Sequence, residues 1–289
     1  MLDINTLLLD FRITSYCNLD CDLCFRNPGI EDQSTESALN VLDKMYQVGF
    51  RRVGFTGGEP TTRKDFLILI EHAKKLGFMT YLSTVGHRFI MDHARLNGVL
   101  DWVGMPIDGI EKQTNSDIRS EKMGNQHRVI KDILTWLSQT NNTINIKLTT
   151  VVSQTNAHQI SDIVRWVNSF PYKIQSWRFY QFCPLGVGKE KRDKLEIDTD
   201  LFLNTMKQTK NEFPDLPLSW ATFEERDKAN IVMEPNFDVI IPDGENYTYL
   251  CNMEKDSPEQ IIHHIFGQSE IMEKCENNRF WLDEMEFVS

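Results

Sequence analysis

The stretch Thr14-Ser15-Tyr16-Cys17-Asn18-Leu19-Asp20-Cys21-Asp22-Leu23-Cys24-Phe25 sets three cysteines at C-x-x-x-C-x-x-C spacing directly after an apolar run. Three thiolates on one loop can hold three corners of a cubane iron–sulfur cluster and leave the fourth iron without a protein ligand, whereas four-cysteine sites fill every corner. An open corner calls for an exchangeable ligand. A structural zinc site is the competing reading; zinc takes four ligands, usually as two close pairs, and no second pair lies nearby in the chain.

Working outward, the dense, partly alternating apolar residues of 7–14 read as a buried strand. The cysteine loop then lies at that strand's C-terminal end, where parallel barrels carry their chemistry. Pro28-Gly29 breaks the chain, and Ser34 or Thr35 can cap a helix with Ala38, Leu39, Leu42, Met45 and Tyr46 at three-and-four spacing, ended by Gly49. A second strand over 51–56 runs into Gly57-Gly58-Glu59-Pro60. Two glycines let the backbone turn tightly and approach a ligand with no Cβ in the way; taken alone, the element is a strand-to-helix turn. The alternation repeats as helix 66–76, strand 78–84, helix 88–96, strand 101–108, helix 126–139, strand 144–152, helix 157–169 and strand 176–182.

Six such units in tandem predict right-handed crossovers and a parallel sheet. The expected fold is α/β, a partial (β/α)6 TIM-like barrel over residues 1–183, with residues 184–289 as a C-terminal α/β extension closing the barrel. Within that extension the spacing predicts a solvated charged loop at 189–194, a helix over 200–212, a hairpin joining 237–242 to 247–250, and a helix started by Ser257-Pro258.

The chain has 289 residues, 42 acids against 31 bases, and a formal net charge of -11. That balance argues against a nucleic-acid-tracking groove, although a few inward Lys or Arg residues could hold a small phosphorylated molecule. The amino-terminal residues lack the basic flank of a signal peptide, and no apolar stretch approaches the ~20 residues of a membrane span. The expectation is a soluble, cytoplasmic protein without membrane or nucleic-acid partners. Of six cysteines, three fall within the opening loop, which favours metal or redox chemistry over a disulfide framework; Cys183, Cys251 and Cys275 are widely separated and read as buried free thiols. The seven histidines are scattered and suggest no metal site.

With the cysteine triad and Gly57-Gly58-Glu59-Pro60 in this order, the chain resembles the radical S-adenosylmethionine (radical SAM) superfamily. The resemblance implies a [4Fe-4S] cluster on Cys17, Cys21 and Cys24, with SAM chelating the open iron and reductive cleavage giving a 5′-deoxyadenosyl radical. It implies a flavodoxin- or ferredoxin-type electron donor. It assigns cofactor contacts to Gly57, Gly58, Glu59 and Pro60, to Tyr16, Leu23 and Phe25 around the cluster, to Ser83 and Thr84 near the ribose, and to Arg119 at the SAM carboxylate. Leu23 departs from the family's usual aromatic residue, and Val85-Gly86 from its common Asn-Gly.

Lys147 in Ile146-Lys147-Leu148 and Arg178 in Trp177-Arg178-Phe179-Tyr180-Gln181, followed by Phe182-Cys183-Pro184-Leu185, resemble viperin-like radical SAM enzymes. That likeness implies a nucleoside triphosphate substrate, loss of a ribose C4′ hydrogen and the 3′-hydroxyl, and substrate contacts from Lys147, Thr149, Arg178 and Gln181. Thr149 stands where that family has asparagine, and Glu286-Phe287-Val288-Ser289 lacks the tryptophan-bearing end of its animal members. Radical modification of a peptide or of a sugar or natural-product intermediate remains a second reading, and a non-catalytic metal-binding protein a third.

Overall fold

The computed structural model describes residues 4–89, 95–123, 125–140, 143–172, 174–267, 271 and 273–275. Ten strands form one sheet: β1 Leu8–Thr14, β2 Arg52–Gly57, β3 Met79–Ser83, β4 Trp102–Pro106, β5 Asn145–Val152, β6 Ser176–Gln181, β7 Leu218–Ala221, β8 Ile231–Met233, β9 Asp238–Asp243 and β10 Asn246–Asn252. Their spatial order is β10-β9-β8-β1-β2-β3-β4-β5-β6-β7. The pairs from β8 through β1 to β7 are all parallel, and only the β8–β9 and β9–β10 pairs are antiparallel. The six expected strands are present in sequence order, flanked on both edges by strands from the carboxy-terminal third.

Side-chain alternation explains how the sheet curls around a polar interior. Leu9, Phe11, Ile13, Val53, Phe55, Leu82, Val103, Met105, Ile146, Leu148, Trp177 and Phe179 face outward and join one continuous apolar core with the helices. Burying each such large side chain contributes roughly 1.5–3 kcal/mol, so a one-residue register slip would turn this whole set into the lumen. The positions between them carry Asp10, Arg12, Gly54, Tyr81, Gly104, Lys147, Arg178 and Tyr180. Two side chains fill the space left by two glycines: a Cβ on Gly104 would lie 1.8 Å from the Tyr81 hydroxyl, and one on Gly54 would lie 2.4 Å from Asp10 Oδ1. The lumen is thus filled by a ring and charged side chains, in contrast to the aliphatic layers of a closed barrel.

Several helices stop and start where expected, whereas the helix Lys112–Ile118, capped by Arg119, was not expected. Ser34 caps helix Thr35–Val48 by accepting from Ser37 N, and left-handed Gly49 closes it. Ser257 and Gln260 form a capping box on helix Pro258–Phe266, with proline in its first turn. The expected hairpin is β9–β10. The helix expected over 88–96 falls largely on residues outside those described.

Two strands were not expected. β7 has four residues and β8 three, too few for periodicity to reveal; each exists because an edge of the parallel core is there to pair with, Trp177 against Leu218 and Leu9 against Ile231. The charged run 189–194 is also not a free loop. It lies in a 3₁₀ turn, Gly186–Lys191, followed by the short helix Arg192–Leu195, and its side chains are engaged as described below.

At the end of β2 the two glycines meet backbone. Gly58 N donates to Thr14 O at 2.8 Å and Glu59 N to Tyr16 O at 2.9 Å. A Cβ on Gly58 would stand 2.0 Å from Tyr16 O; on Gly57, at φ 139°, it would stand 2.3 Å from Thr14 O. The space that the missing Cβ atoms leave is therefore taken by the start of the cysteine loop. Gly58→Ala is expected to destabilise the fold by about 1–3 kcal/mol through overpacking and to lower iron content after anaerobic reconstitution. Thermal melting and iron analysis check this, and an unchanged melting point with full iron would contradict the close approach.

Candidate active site

The cysteine loop leaves β1 at the rim of the barrel and is held on every side. Thr14 Oγ1 accepts from Tyr16 N at 3.1 Å, Ser15 N donates to Asp32 at 3.0 Å, and Arg26 donates to Ser15 O. From the loop after β4, Arg119 O accepts from Asp22 N at 3.1 Å, and Ser120 donates to Asp20. From the segment after β6, Gly188 N donates to Cys24 O at 2.9 Å. Lys194 and Lys191 pair with Asp22 at 2.9 and 3.4 Å, while Arg192 pairs with Glu245 and Lys189 reaches Asn246 Oδ1 at 3.2 Å. Exposed ion pairs contribute about 0–1 kcal/mol each; their value here is to fix where the loop sits. Leu23, expected around the cluster, is buried with Ile118, Phe182 and Leu195.

Cys17, Cys21 and Cys24 are half-buried free thiols. Leu19 N donates to Cys17 Sγ at 3.4 Å. Burial pushes the Cys17 thiol up and the Cys21 thiol to about 12, with the Arg119 guanidinium opposing the shift at Cys21. Without a metal such thiols stay protonated; coordination would deprotonate them outright. Among the described residues no three His, Cys, Asp or Glu side chains close on one ion position. Tyr16 and Phe25 flank the triad and are 63% and 46% exposed.

Glu59 has a different role from its glycine neighbours. Its carboxylate is buried; Oε1 accepts from Thr61 N, Thr61 Oγ1 and Thr84 Oγ1 at 3.2, 2.6 and 2.7 Å, and Oε2 from Val85 N at 3.0 Å. It ties the turn after β2 to the turn after β3, leaving the backbone of Gly57, Gly58 and Pro60 at the rim. Thr84 is thereby committed to Glu59, while Ser83 is a hydrogen-bond partner of Tyr81. Arg119, expected at a ligand carboxylate, is paired with the fully buried Asp108, which also accepts from Val151 N at 2.7 Å. Its position beside Cys21 keeps it at the cluster, but its charge is already matched.

Below the rim, Lys147 and Arg178 are brought together as expected, only 2% and 1% exposed. Lys147 Nζ lies 3.5 Å from Tyr180 OH and 5.6 Å from the Tyr81 ring centre. Arg178 stands 5.8 Å over the Tyr180 ring, and Arg226, from the short helix Phe223–Arg226, stands 4.4 Å over it. Desolvation lowers the pKa of both Lys147 and Arg178, and each is pushed further by the next cation, Lys147 by Arg178 and Arg178 by Arg226. Although burial opposes it, the same three cations draw the Tyr180 hydroxyl below the usual phenol range. Thr149 sits beside Arg178 in register and makes a long 3.4 Å bond to Met105 O. Gln181 points away from this group: its amide donates to Ile197 O and Thr199 Oγ1, each at 3.0 Å, and accepts from Phe223 N at 2.9 Å.

Sequence reading missed Asp10, Arg12, Tyr180, Arg226 and Glu234. The first three carried a signal, since a charged or hydroxylated residue at every second position of an apolar strand marks a polar inner face. Arg226 and Glu234 had none, because their places depend on β7 and β8.

Among protein-family models, that of the Radical SAM superfamily matches residues 11–167, more than half of the chain. The chain belongs to the radical SAM superfamily. It is an enzyme of that superfamily, whose membership implies a [4Fe-4S] cluster and SAM. A S-adenosylmethionine-dependent nucleotide dehydratase of Flammeovirga pacifica is 26% identical over 260 residues, covering 83% of this chain and 84% of the relative. The PqqA peptide cyclase of Bradyrhizobium diazoefficiens is 29% identical over 163 residues, covering 53% and 41%. Among solved structures, Streptococcus suis SuiB bound to its precursor peptide SuiA superposes with a TM-score of 0.66 at 15% identity, over 87% of this chain and 63% of that one. Native anSMEcpe with bound AdoMet and Cp18Cys peptide gives 0.64 at 14%, over 93% and 83%. At those identities the likeness is one of fold: a mostly parallel α/β sheet shared with radical SAM partial barrels. No described helix is long and apolar enough to cross a membrane.

Asp10 offers a test of the lumen's electrostatics. Burial raises its carboxyl to about 6, outweighing the opposing pull of Lys147 and Arg12. Because the folded state holds that proton more tightly than the unfolded chain, stability from this group is greatest below pH ~4 and is lost as pH rises towards 6. Asp10→Asn should therefore gain stability relative to the native protein between pH 4 and 7, by roughly 2–3 kcal/mol for a shift of this size. Denaturant melts across that range check it; a pH-independent difference would contradict the buried setting.

Proposed function

We propose that this radical SAM enzyme acts on a nucleoside triphosphate, taking hydrogen from ribose C4′ with loss of the 3′-hydroxyl, to give a 3′-deoxy-3′,4′-didehydro nucleotide. One observation carries this reading: Lys147, Arg178 and Arg226 gather around one tyrosine inside the barrel. Among the described residues no carboxylate is in ion-pair contact with Arg226, and its Nε is buried without a hydrogen bond. Ser176 Oγ and Ser219 Oγ, on neighbouring strands β6 and β7, are likewise without partners among the described residues. Lys147 and Arg178, held out of water, and the half-buried Arg226 beside them repel one another, and a polyphosphate relieves both the repulsion and the missing bonds.

Cys17, Cys21 and Cys24 fit the cluster, and the rim of Gly57, Gly58, Pro60 and Ser83 supports a SAM site beside it. When bound, cluster and SAM supply a radical able to take hydrogen from unactivated carbon; two electrons from a flavodoxin- or ferredoxin-type donor, one for SAM cleavage and one, with a proton, for release of the 3′-hydroxyl as water, balance the reaction. The protein's own part is to hold the ribose near the rim by gripping the phosphates below, to keep water from the lumen with Tyr81 and Tyr180, and to keep the cysteine loop in place. The nucleotide dehydratase of Flammeovirga pacifica supports this choice over a peptide, because its likeness covers 83% of this chain, whereas that of the peptide cyclase covers 53%.

With reconstituted enzyme under anaerobic conditions, nucleoside triphosphates are expected to stimulate 5′-deoxyadenosine formation. Lys147→Ala and Arg226→Ala should each raise the nucleotide KM about 10- to 100-fold, the worth of a hydrogen bond to a charged group, with little change in SAM affinity. Indifference to every nucleotide, with stimulation by a peptide, would overturn the reading.

A further inference from the structure

We propose that Glu234 orients the substrate: its Oε2 accepts a hydrogen bond from an O–H or N–H donor on the uncharged part of the nucleotide. The proposal rests on the nucleotide reading above. Glu234 follows β8, beside Arg12 of β1, where the sheet runs into the cysteine loop. Its side chain is 3% exposed. Oε1 is fixed by two donors, Arg12 Nη1 at 2.7 Å and Asn27 Nδ2 at 3.0 Å. Arg12 is itself locked, its second nitrogen donating to Tyr247 OH at 3.0 Å and its plane lying 5.2 Å from the ring centres of both Phe25 and Tyr247. Tyr247 in turn donates to Phe25 O at 2.6 Å, inside the cysteine loop. Oε2 alone is left buried without a hydrogen-bond partner among the described residues.

A carboxylate held rigidly by one oxygen, with the other buried and bare, is an acceptor prepared for something that arrives later, since a buried acceptor left unsatisfied is costly. Its charge also decides what arrives. The Glu234–Arg12 pair is matched in charge, whereas Lys147, Arg178 and Arg226 attract phosphates, so the two ends of the lumen sort the two ends of the substrate. The neutral sugar or base then lies towards the cysteines and the phosphates towards β5, β6 and the helix after β7. The donor is either the 2′-hydroxyl or a base amino group.

Glu234→Gln is the discriminating change, because the amide oxygen can still accept from Arg12 while the amide nitrogen replaces Oε2 with a donor. The native enzyme should bind CTP about tenfold better than UTP if the base amino group is the donor, or about tenfold better than 2′-deoxy-CTP if the 2′-hydroxyl is. In Glu234→Gln the CTP KM should rise about tenfold and that ratio should fall to near one, with SAM affinity unchanged and the melting temperature lowered by loss of the buried charge pair with Arg12. An unchanged CTP KM and unchanged ratios would overturn the proposal, as would a loss confined to SAM affinity, which would give the acceptor to the cofactor. Should the variant not fold, indifference of the native enzyme to both analogue pairs would overturn it equally. If no nucleotide stimulates the native enzyme, the nucleotide reading and this proposal fall together; if nucleotides do and Glu234→Gln is silent, only this proposal falls.

Discussion

Positive charge held out of water inside the barrel is the constraint on which the rest of the structure depends. Lys147, Arg178 and Arg226 share the Tyr180 ring and hydroxyl, and burial together with their mutual repulsion depresses the first two. Such a group is tolerated only where the surroundings are rigid and where an opposite charge can enter. The outward half of every strand supplies the rigidity, since its apolar residues are locked into the core beneath the helices. The inward half is thereby free to carry chemistry at some cost to stability.

A second dependence links the cluster loop to both ends of the chain. The glycine turn after β2 packs against the loop's backbone so closely that no side chain fits, and Glu59 carries that contact onward to the turn after β3. From the other side, the segment 186–195 and the β9–β10 hairpin hold it through Gly188, Lys191, Lys194 and Tyr247. The carboxy-terminal third therefore does more than cover an edge: Arg226 and Glu234, which it contributes, are parts of the lumen itself. Glycines that read as room for a ligand make room for the backbone of the cysteine loop.

Much of this was legible in the residues. The βα rhythm gave the six core strands, and cysteine spacing with Gly57-Gly58-Glu59-Pro60 marked the rim. Lys147 and Arg178 were legible because each interrupts an apolar strand. Arg119, Leu23 and Gln181 were harder: an arginine in a polar loop does not announce that Asp108 is buried beneath it, a leucine between cysteines can face cofactor or core, and Gln181 lies on the outward phase of β6, one residue from the inward Tyr180. β7 and β8 were invisible because their three or four residues become strands only by pairing with an existing edge, and Arg226 and Glu234 stayed hidden with them.

The most direct test of the central claim is the fate of a substrate hydrogen. Anaerobic turnover with nucleoside triphosphate deuterated at ribose C4′ should place deuterium in the recovered 5′-deoxyadenosine and yield a nucleotide lighter by that deuterium and the 3′-hydroxyl together. Unlabelled 5′-deoxyadenosine with the nucleotide returned intact would contradict the account, whatever the state of the cluster.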